Sequence, residues 1–163
     1  MRDTRQLTRA AILLTLALIF QSLRFIIPLP HFLGAFLIGS LVNAVLAFAA
    51  WRSIPSYALA FSAVLPLVAY LQGQLPIPIL IPIVVFGNWV YILLLYKYRS
   101  GATVCLAPLA KAAAMYTTAL LAMQFFNIPP ALQKMVGFIM GIAQLVTGFV
   151  GIFLARLVLK IIR

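Results

Sequence analysis

Six apolar stretches, each close to the length that crosses a bilayer, follow one another along the chain with Pro, Gly and basic residues between them. A helix needs roughly 20 consecutive apolar residues to traverse about 30 Å of hydrocarbon. The stretches run over Leu7–Ile27, Phe32–Ala50, Ile54–Leu71, Ile77–Tyr96, Ala107–Phe126 and Lys134–Ile162. In 163 residues this leaves little besides loops. The expected architecture is therefore an all-α integral membrane protein, six transmembrane helices in a compact bundle, with one membrane domain over residues 1–163. Composition agrees: 66% of residues are hydrophobic and 8% charged, against about 45–50% and about 25% in a soluble domain. The third stretch is short and contains Pro66, which lacks a backbone donor and is expected to kink or break its helix. The sixth is long enough to tilt or to end as an interfacial tail. The first has no small-residue cleavage site after a short core, so it reads as a span and not a cleaved signal.

The charges set an orientation and exclude much chemistry. Twelve Lys and Arg stand against one acidic residue, Asp3, in the polar N-terminal segment. In a six-span layout Arg2, Arg5, Arg9, Arg52, Lys97, Arg99, Arg156, Lys160 and Arg163 fall on one side, and only Arg24 and Lys134 near the other. Basic flanks are retained in the cytoplasm. Both termini are therefore expected there, with loops at Pro28–His31, Gln72–Pro76 and Asn127–Gln133 outside. The net charge of +11 is then explained by topology and anionic headgroups, and no nucleic-acid partner is expected. Acid/base pairs and Ser-His-Asp relays need carboxylates inside the fold, which this chain lacks. One His and one Cys make neither a zinc site nor a disulfide. There is no G-x-x-x-x-G-K-[ST] run for binding ATP. The chain is read as a non-enzyme without cofactor or metal, whose work is binding, passage or assembly.

Polar side chains inside hydrocarbon cost free energy unless they are paired across helices, so their depth is informative. At about 1.5 Å per residue, Asn43, Asn88 and Gln144 each lie roughly 15–17 Å from the outer end of their span. Thr117 and Thr118, beside Tyr116, sit at similar depth, and Gln21 and Ser22 lie nearer the outside. These groups either join helices by hydrogen bonds or converge on a site. The outer loops add Gln72, Gln74 and His31, while Trp89, Tyr91, Tyr70 and Phe125 offer rings for a flat ligand.

Two cations lie within spans, where charge marks a functional candidate by default. Arg24, in the outer turn of the first span, reads first as snorkelling to the headgroups. Lys111 follows Pro108, which suits a first helical turn. It reads first as an anchor near the cytoplasmic face, and alternatively as a contact to a ligand or partner. A buried cation here has no carboxylate in the chain to pair with, so its counter-charge would come from a ligand, a lipid or another subunit. That favours an anionic or neutral ligand over a cation. Small residues that let helices approach closely form stripes at Thr8, Ala11 and Thr15, at Gly39, Asn43 and Ala47, and at Gly137, Gly141, Gly148, Gly151 and Ala155. An exposed stripe on the first span would be a docking face. Cys105 reads as a structural thiol.

The chain resembles the substrate-binding membrane subunits, or S components, of energy-coupling factor vitamin transporters. The resemblance is carried by size, by six spans with basic cytoplasmic ends, and by Gly39-Ser40-Leu41-Val42-Asn43-Ala44-Val45-Leu46 in the second span. Pro66, Gly73, the Pro76–Pro82 run, Gly87-Asn88-Trp89 and Ala107-Pro108-Leu109-Ala110-Lys111 continue it. The family's alanine docking motif on the first span is met loosely, by Ala11-x-x-x-Thr15. The resemblance implies a prokaryotic cell-membrane protein that captures a small vitamin or precursor from outside, with energy supplied by a transmembrane coupling subunit and two ABC ATPases. It implies a ligand in the outer half, enclosed by spans 4 to 6 and the outer loops. By that analogy Gln72, Gln74, Asn88, Trp89, Tyr116 and Gln144 line the pocket, with Asn43 a lesser candidate and Ala11 and Thr15 docking residues. The ligand expected is a neutral or weakly anionic heterocycle. The alternative is a non-transporting scaffold similar to the rod-shape-determining membrane proteins, in which the polar layer only joins helices.

Overall fold

The structure, a computed structural model, describes residues 2–27, 30–52, 55–99 and 101–162, without the side chains of Arg2, Asp3, His31 and Phe32. The expected external loop at Pro28–His31 and the His31 side chain therefore lie outside what is described. The described residues form helices and connecting turns, with no strand. The helices are α1 (Arg2–Ser22), α2 (His31–Arg52), α3 (Pro55–Leu71), α4 (Leu80–Lys97), α5 (Leu106–Phe125) and α6 (Pro130–Ile161). All but α3 are long and apolar enough to cross a membrane, and α3 is a shorter apolar helix. The protein is an all-α membrane bundle.

The boundaries depart from the sequence reading for local reasons. Helix α1 starts earlier, because Arg, Thr and Gln are tolerated in a helix outside the apolar zone, and a 3-10 turn at Leu23–Phe25 closes it. Helix α4 starts only at Leu80, since Pro76 and Pro78 cannot donate to a helical ladder. Helix α3 runs unbroken through Pro66. One residue earlier, the Leu65 carbonyl accepts a hydrogen bond from Gln21 Nε2 at 3.1 Å. Helix α6 is a single 32-residue helix, roughly 48 Å at about 1.5 Å per residue, with a π-helical stretch at Ile139–Ala143.

Around the bundle α1 packs on α3, α3 on α4, α4 on α5, α5 on α6, and α6 on α2, which returns to α1. The α2–α6 pairing is the most extensive. It is close because Gly151 has no side chain. A Cβ there would lie 2.7 Å from Asn43 Cβ and 2.8 Å from the Asn43 carbonyl carbon. Gly39 faces Thr147 in the same seam.

Arg52, Arg99, Arg156 and Lys160 gather around Trp51 at one end of the bundle, the end at which α1 begins and α6 finishes. The half of the bundle next to this basic end holds a packed core, in which Ala17, Leu46, Ala50, Ala58, Ile92 and Ala107 meet larger side chains such as Phe61, Leu65, Tyr91 and Leu95. Toward the other end α4, α5 and α6 are joined by a second cluster containing Ile83, Met115, Ala119, Met123, Val136 and Met140. No comparable filling occupies the space between α1, α2, α3 and α6.

Gly151→Val is expected to lower the thermal midpoint in detergent, by an overpacking cost of about 1–3 kcal/mol. Gly137→Ala is expected not to lower it, because its Cβ would meet only the Tyr116 ring at 3.5 Å.

Candidate substrate-binding cavity

The unfilled space is a cavity of about 540 Å³, within the 300–1,000 Å³ or so common to small-molecule sites. Its mouth lies at the end opposite the basic cluster, between Arg24 and Ile27 after α1, Gly34 on α2, Gln74, and Met135 on α6. It reaches inward to Asn43, Asn88, Lys111, Gln144 and Thr147.

One rim is built by a helix cap. Gly73 takes φ +69°, and the chain closes α3 with Gly73 N–H donating to Tyr70 O at 2.9 Å and Gln74 N–H to Ala69 O at 2.8 Å. This is the double bond pattern of a Schellman cap, which glycine adopts without steric cost. The turn carries two glutamines onto α1. Gln72 Nε2 donates to Ser22 Oγ at 3.2 Å, and Gln74 Nε2 donates to Gln21 O at 3.1 Å and Gln72 Oε1 at 2.8 Å. Arg24 Nη1 lies 3.5 Å from Gly73 O at the same rim.

The floor is a chain of hydrogen bonds across three helices. The Thr147 hydroxyl donates to Ala143 O within α6 at 2.8 Å, which leaves its oxygen free to accept. Asn43 Nδ2 on α2 donates to that oxygen at 3.0 Å, so the amide's Oδ1 must point away from α6. Lys111 Nζ on α5 donates to Asn43 Oδ1 at 2.6 Å and stands 5.1 Å from the centroid of the Tyr91 ring. The ring is held by its hydroxyl, which donates to Gly148 O at 2.8 Å. Lys111 is 2% exposed and Asn43 3%. An amide oxygen and an aromatic face suit an ammonium group, but neither carries a charge. Among the described residues Lys111 has no ion pair, and the chain's one acidic residue, Asp3, belongs to the first turn of α1.

Two further amides face the cavity without partners. Asn88 is 3% exposed and Gln144 half-buried, both line the cavity, and neither side chain makes a hydrogen bond among the described residues. Buried polar groups in native proteins are normally paired, so these amides are donors and acceptors available to a guest. The π stretch at Ile139–Ala143 immediately precedes Gln144 and lines the same wall. Such π-bulges occur often at functional sites.

Among the sequence candidates, Asn43, Gln74, Asn88 and Gln144 line the cavity, and Gln72 supports Gln74 from outside it. Trp89 and Tyr116 do not line it. Trp89 is half-exposed on the outer surface, where Nε1 donates to Leu59 O at 3.1 Å. Tyr116 is also partly exposed, lying over Gly137 and Gly141 on α6. The Thr117 and Thr118 hydroxyls donate back to carbonyls of their own helix. The cavity also lies between α1, α2, α3 and α6 more than between α4, α5 and α6, whose outer halves are filled by the methionine-rich cluster.

Lys111 is the main correction. It does not anchor at the interface but sits in the bundle, with its stem against Gly87 and its amine on the cavity floor. The signal for this is the stripe Ala107, Pro108, Lys111, Ala112, Met115, Ala119 and Met123, which is the buried face of α5. On the outer face of α1, Thr8, Ala11 and Thr15 are exposed, beside Ile12 and Ile19.

No family model, curated protein or solved structure matches this chain.

Burying a charge without a charged partner is costly, and a methionine of similar volume removes that cost at the loss of one hydrogen bond to Asn43 Oδ1. Lys111→Met is therefore expected to leave the thermal midpoint of the ligand-free protein unchanged or higher. A clear fall in that midpoint would make Lys111 a structural residue.

Proposed function

We propose that the protein is a membrane-embedded substrate-binding subunit of an energy-coupling factor type importer, taking up a small vitamin-like molecule at the cell membrane of a prokaryote. One observation carries the reading: a cavity of about 540 Å³ opens at the end opposite the basic cluster and presents, half-way through the bundle, the amides of Asn88 and Gln144, unpaired among the described residues. Lys and Arg flanks are retained in the cytoplasm, so the mouth faces outside and both termini face inside. Amides that only joined helices would be bonded to those helices, as Gln21 is to Leu65 O and Asn43 to Thr147. Those of Asn88 and Gln144 are left for a guest, and Gln74 frames the entrance.

The chain holds no nucleotide-binding loop, and among the described side chains there is no carboxylate for proton or sodium coupling. Import would draw its energy from separate ATPases through a transmembrane coupling subunit. The exposed small-residue stripe of Thr8, Ala11 and Thr15 on α1 is the face available for that subunit, since small side chains let a partner helix approach closely. The packed core of the inner half would let the subunit move as one body within the lipid while the ligand stays enclosed.

Purified protein is expected to retain a small molecule in native mass spectrometry, or to gain thermal stability when screened against vitamins and their precursors, because a ligand that binds only the folded state stabilises it. Asn88→Ala and Gln144→Ala are expected to weaken that binding roughly 10-fold or more each, as loss of hydrogen bonds inside a closed site does, with little change in the ligand-free midpoint. Folded protein that neither retains nor is stabilised by any molecule in the screen would leave the amides as structural groups and favour a scaffold.

A further inference from the structure

We infer that the ligand of this cavity is a small organic monoanion whose carboxylate seats on Lys111 Nζ, with its other heteroatoms facing the Asn88 and Gln144 amides. The inference rests on the binding-protein reading above and names the substrate class of the same site. It follows from a charge balance. The cavity is lined by Lys111 at its floor and Arg24 at its mouth and by no acidic side chain, in a chain whose one carboxylate residue is Asp3. Cations are therefore disfavoured along the whole path, and an anion is drawn inward.

The floor is arranged around one positive charge. The Thr147 hydroxyl is committed to Ala143 O and Asn43 Nδ2 to Thr147 Oγ, so Asn43 turns its oxygen to the amine and occupies one of its three N–H donors. The Tyr91 ring covers a second direction. Tyr91 is in turn locked to Gly148 O, so the amine is held at a set position and keeps donor capacity for a group entering from the cavity. A carboxylate supplies one negative charge and an acceptor oxygen, which neutralises Lys111 with nothing left over. A phosphate monoester brings close to two negative charges and would leave one unmatched at this depth, where no arginine fork or backbone N–H cluster is present among the lining residues. A neutral heterocycle would leave the ammonium without a counter-ion in the bound state. Asn43 and Thr147 act as positioning residues, since they orient the amine without needing to touch the ligand.

The experiment compares acids with their neutral counterparts on the full chain in detergent. The pairs are nicotinate and nicotinamide, biotin and biotinamide, pantothenate and panthenol, lipoate and lipoamide, and 4-aminobenzoate and 4-aminobenzamide. Inorganic phosphate serves as a further anion, and small molecules co-purifying with the protein are identified by negative-mode mass spectrometry. Binding is read by thermal shift and titration calorimetry for the wild type and for Lys111→Gln. The expected result is a carboxylic acid, from the panel or co-purified, that binds the wild type at least about 100-fold more tightly than its amide or alcohol. In Lys111→Gln that preference should collapse to within about 10-fold, with the affinity for the neutral partner kept. The wild-type comparison stands by itself if the variant fails to fold. A neutral partner bound as tightly as the acid, phosphate bound in preference to every acid, or an unchanged preference in Lys111→Gln would each overturn the carboxylate assignment while leaving the capture of a small molecule intact. Folded wild type that binds nothing in the panel and co-purifies with nothing would overturn both.

Discussion

The approach of α6 to α2 at Gly151 is the contact on which the rest of the site depends. With no side chain at Gly151 the helix lies directly against the backbone of Asn43 and Ala44, and one turn earlier this brings Thr147 within hydrogen-bond reach of the Asn43 amide. The hydroxyl has already given its proton to Ala143 O. The amide therefore has one orientation open to it, and the oxygen it turns away from α6 receives Lys111. A helix separation larger by the width of a methyl group would break the sequence at its first link.

This arrangement divides the bundle into two unlike halves. Near the basic end alanines alternate with larger side chains such as Phe61, Leu65, Tyr91 and Leu95 in one packed core. Toward the other end the α4–α5–α6 side is filled by Met115, Met123, Met140 and their neighbours, while the α1–α2–α3–α6 side stays open over its polar floor. The polar cavity is thus confined to one side of one half, with packed clusters around it. Membrane burial of an ammonium group is expensive, and retaining one at the boundary between the halves makes sense where a bound anion removes the imbalance.

Much of the site is legible in the residue order. Asn43, Asn88 and Gln144 fall at one level by counting residues along apolar runs, because an α-helix converts sequence position into depth at a fixed rate. Counting gives depth but not direction. Trp89 follows Asn88 by about 100° of helical rotation, and with Asn88 on the cavity wall it turns to the outer surface. Tyr116 lies over the glycines of α6 for the same reason. Lys111 escapes such counting because a lysine near a helix end can usually reach water. Here its stem is enclosed between Gly87 and Tyr91 of α4. Periodicity along α5 carries the hint, since Ala107, Ala112, Met115 and Ala119 share its face.

What the sequence by itself determined is the solvent and the chemistry. Apolar runs of span length demand a lipid environment, where a helix satisfies every backbone polar group internally. The sequence also fixes a chain with one acidic residue and no G-x-x-x-x-G-K-[ST] run, so the polar groups it can offer within the bundle are amides, hydroxyls and cations. Only the tertiary structure decided which polar groups are spent on other helices and which face the cavity without a partner among the described residues. Pairing depends on the rotation and spacing of six helices at once, and those follow from where glycine permits contact and where methionine and alanine fill the gaps.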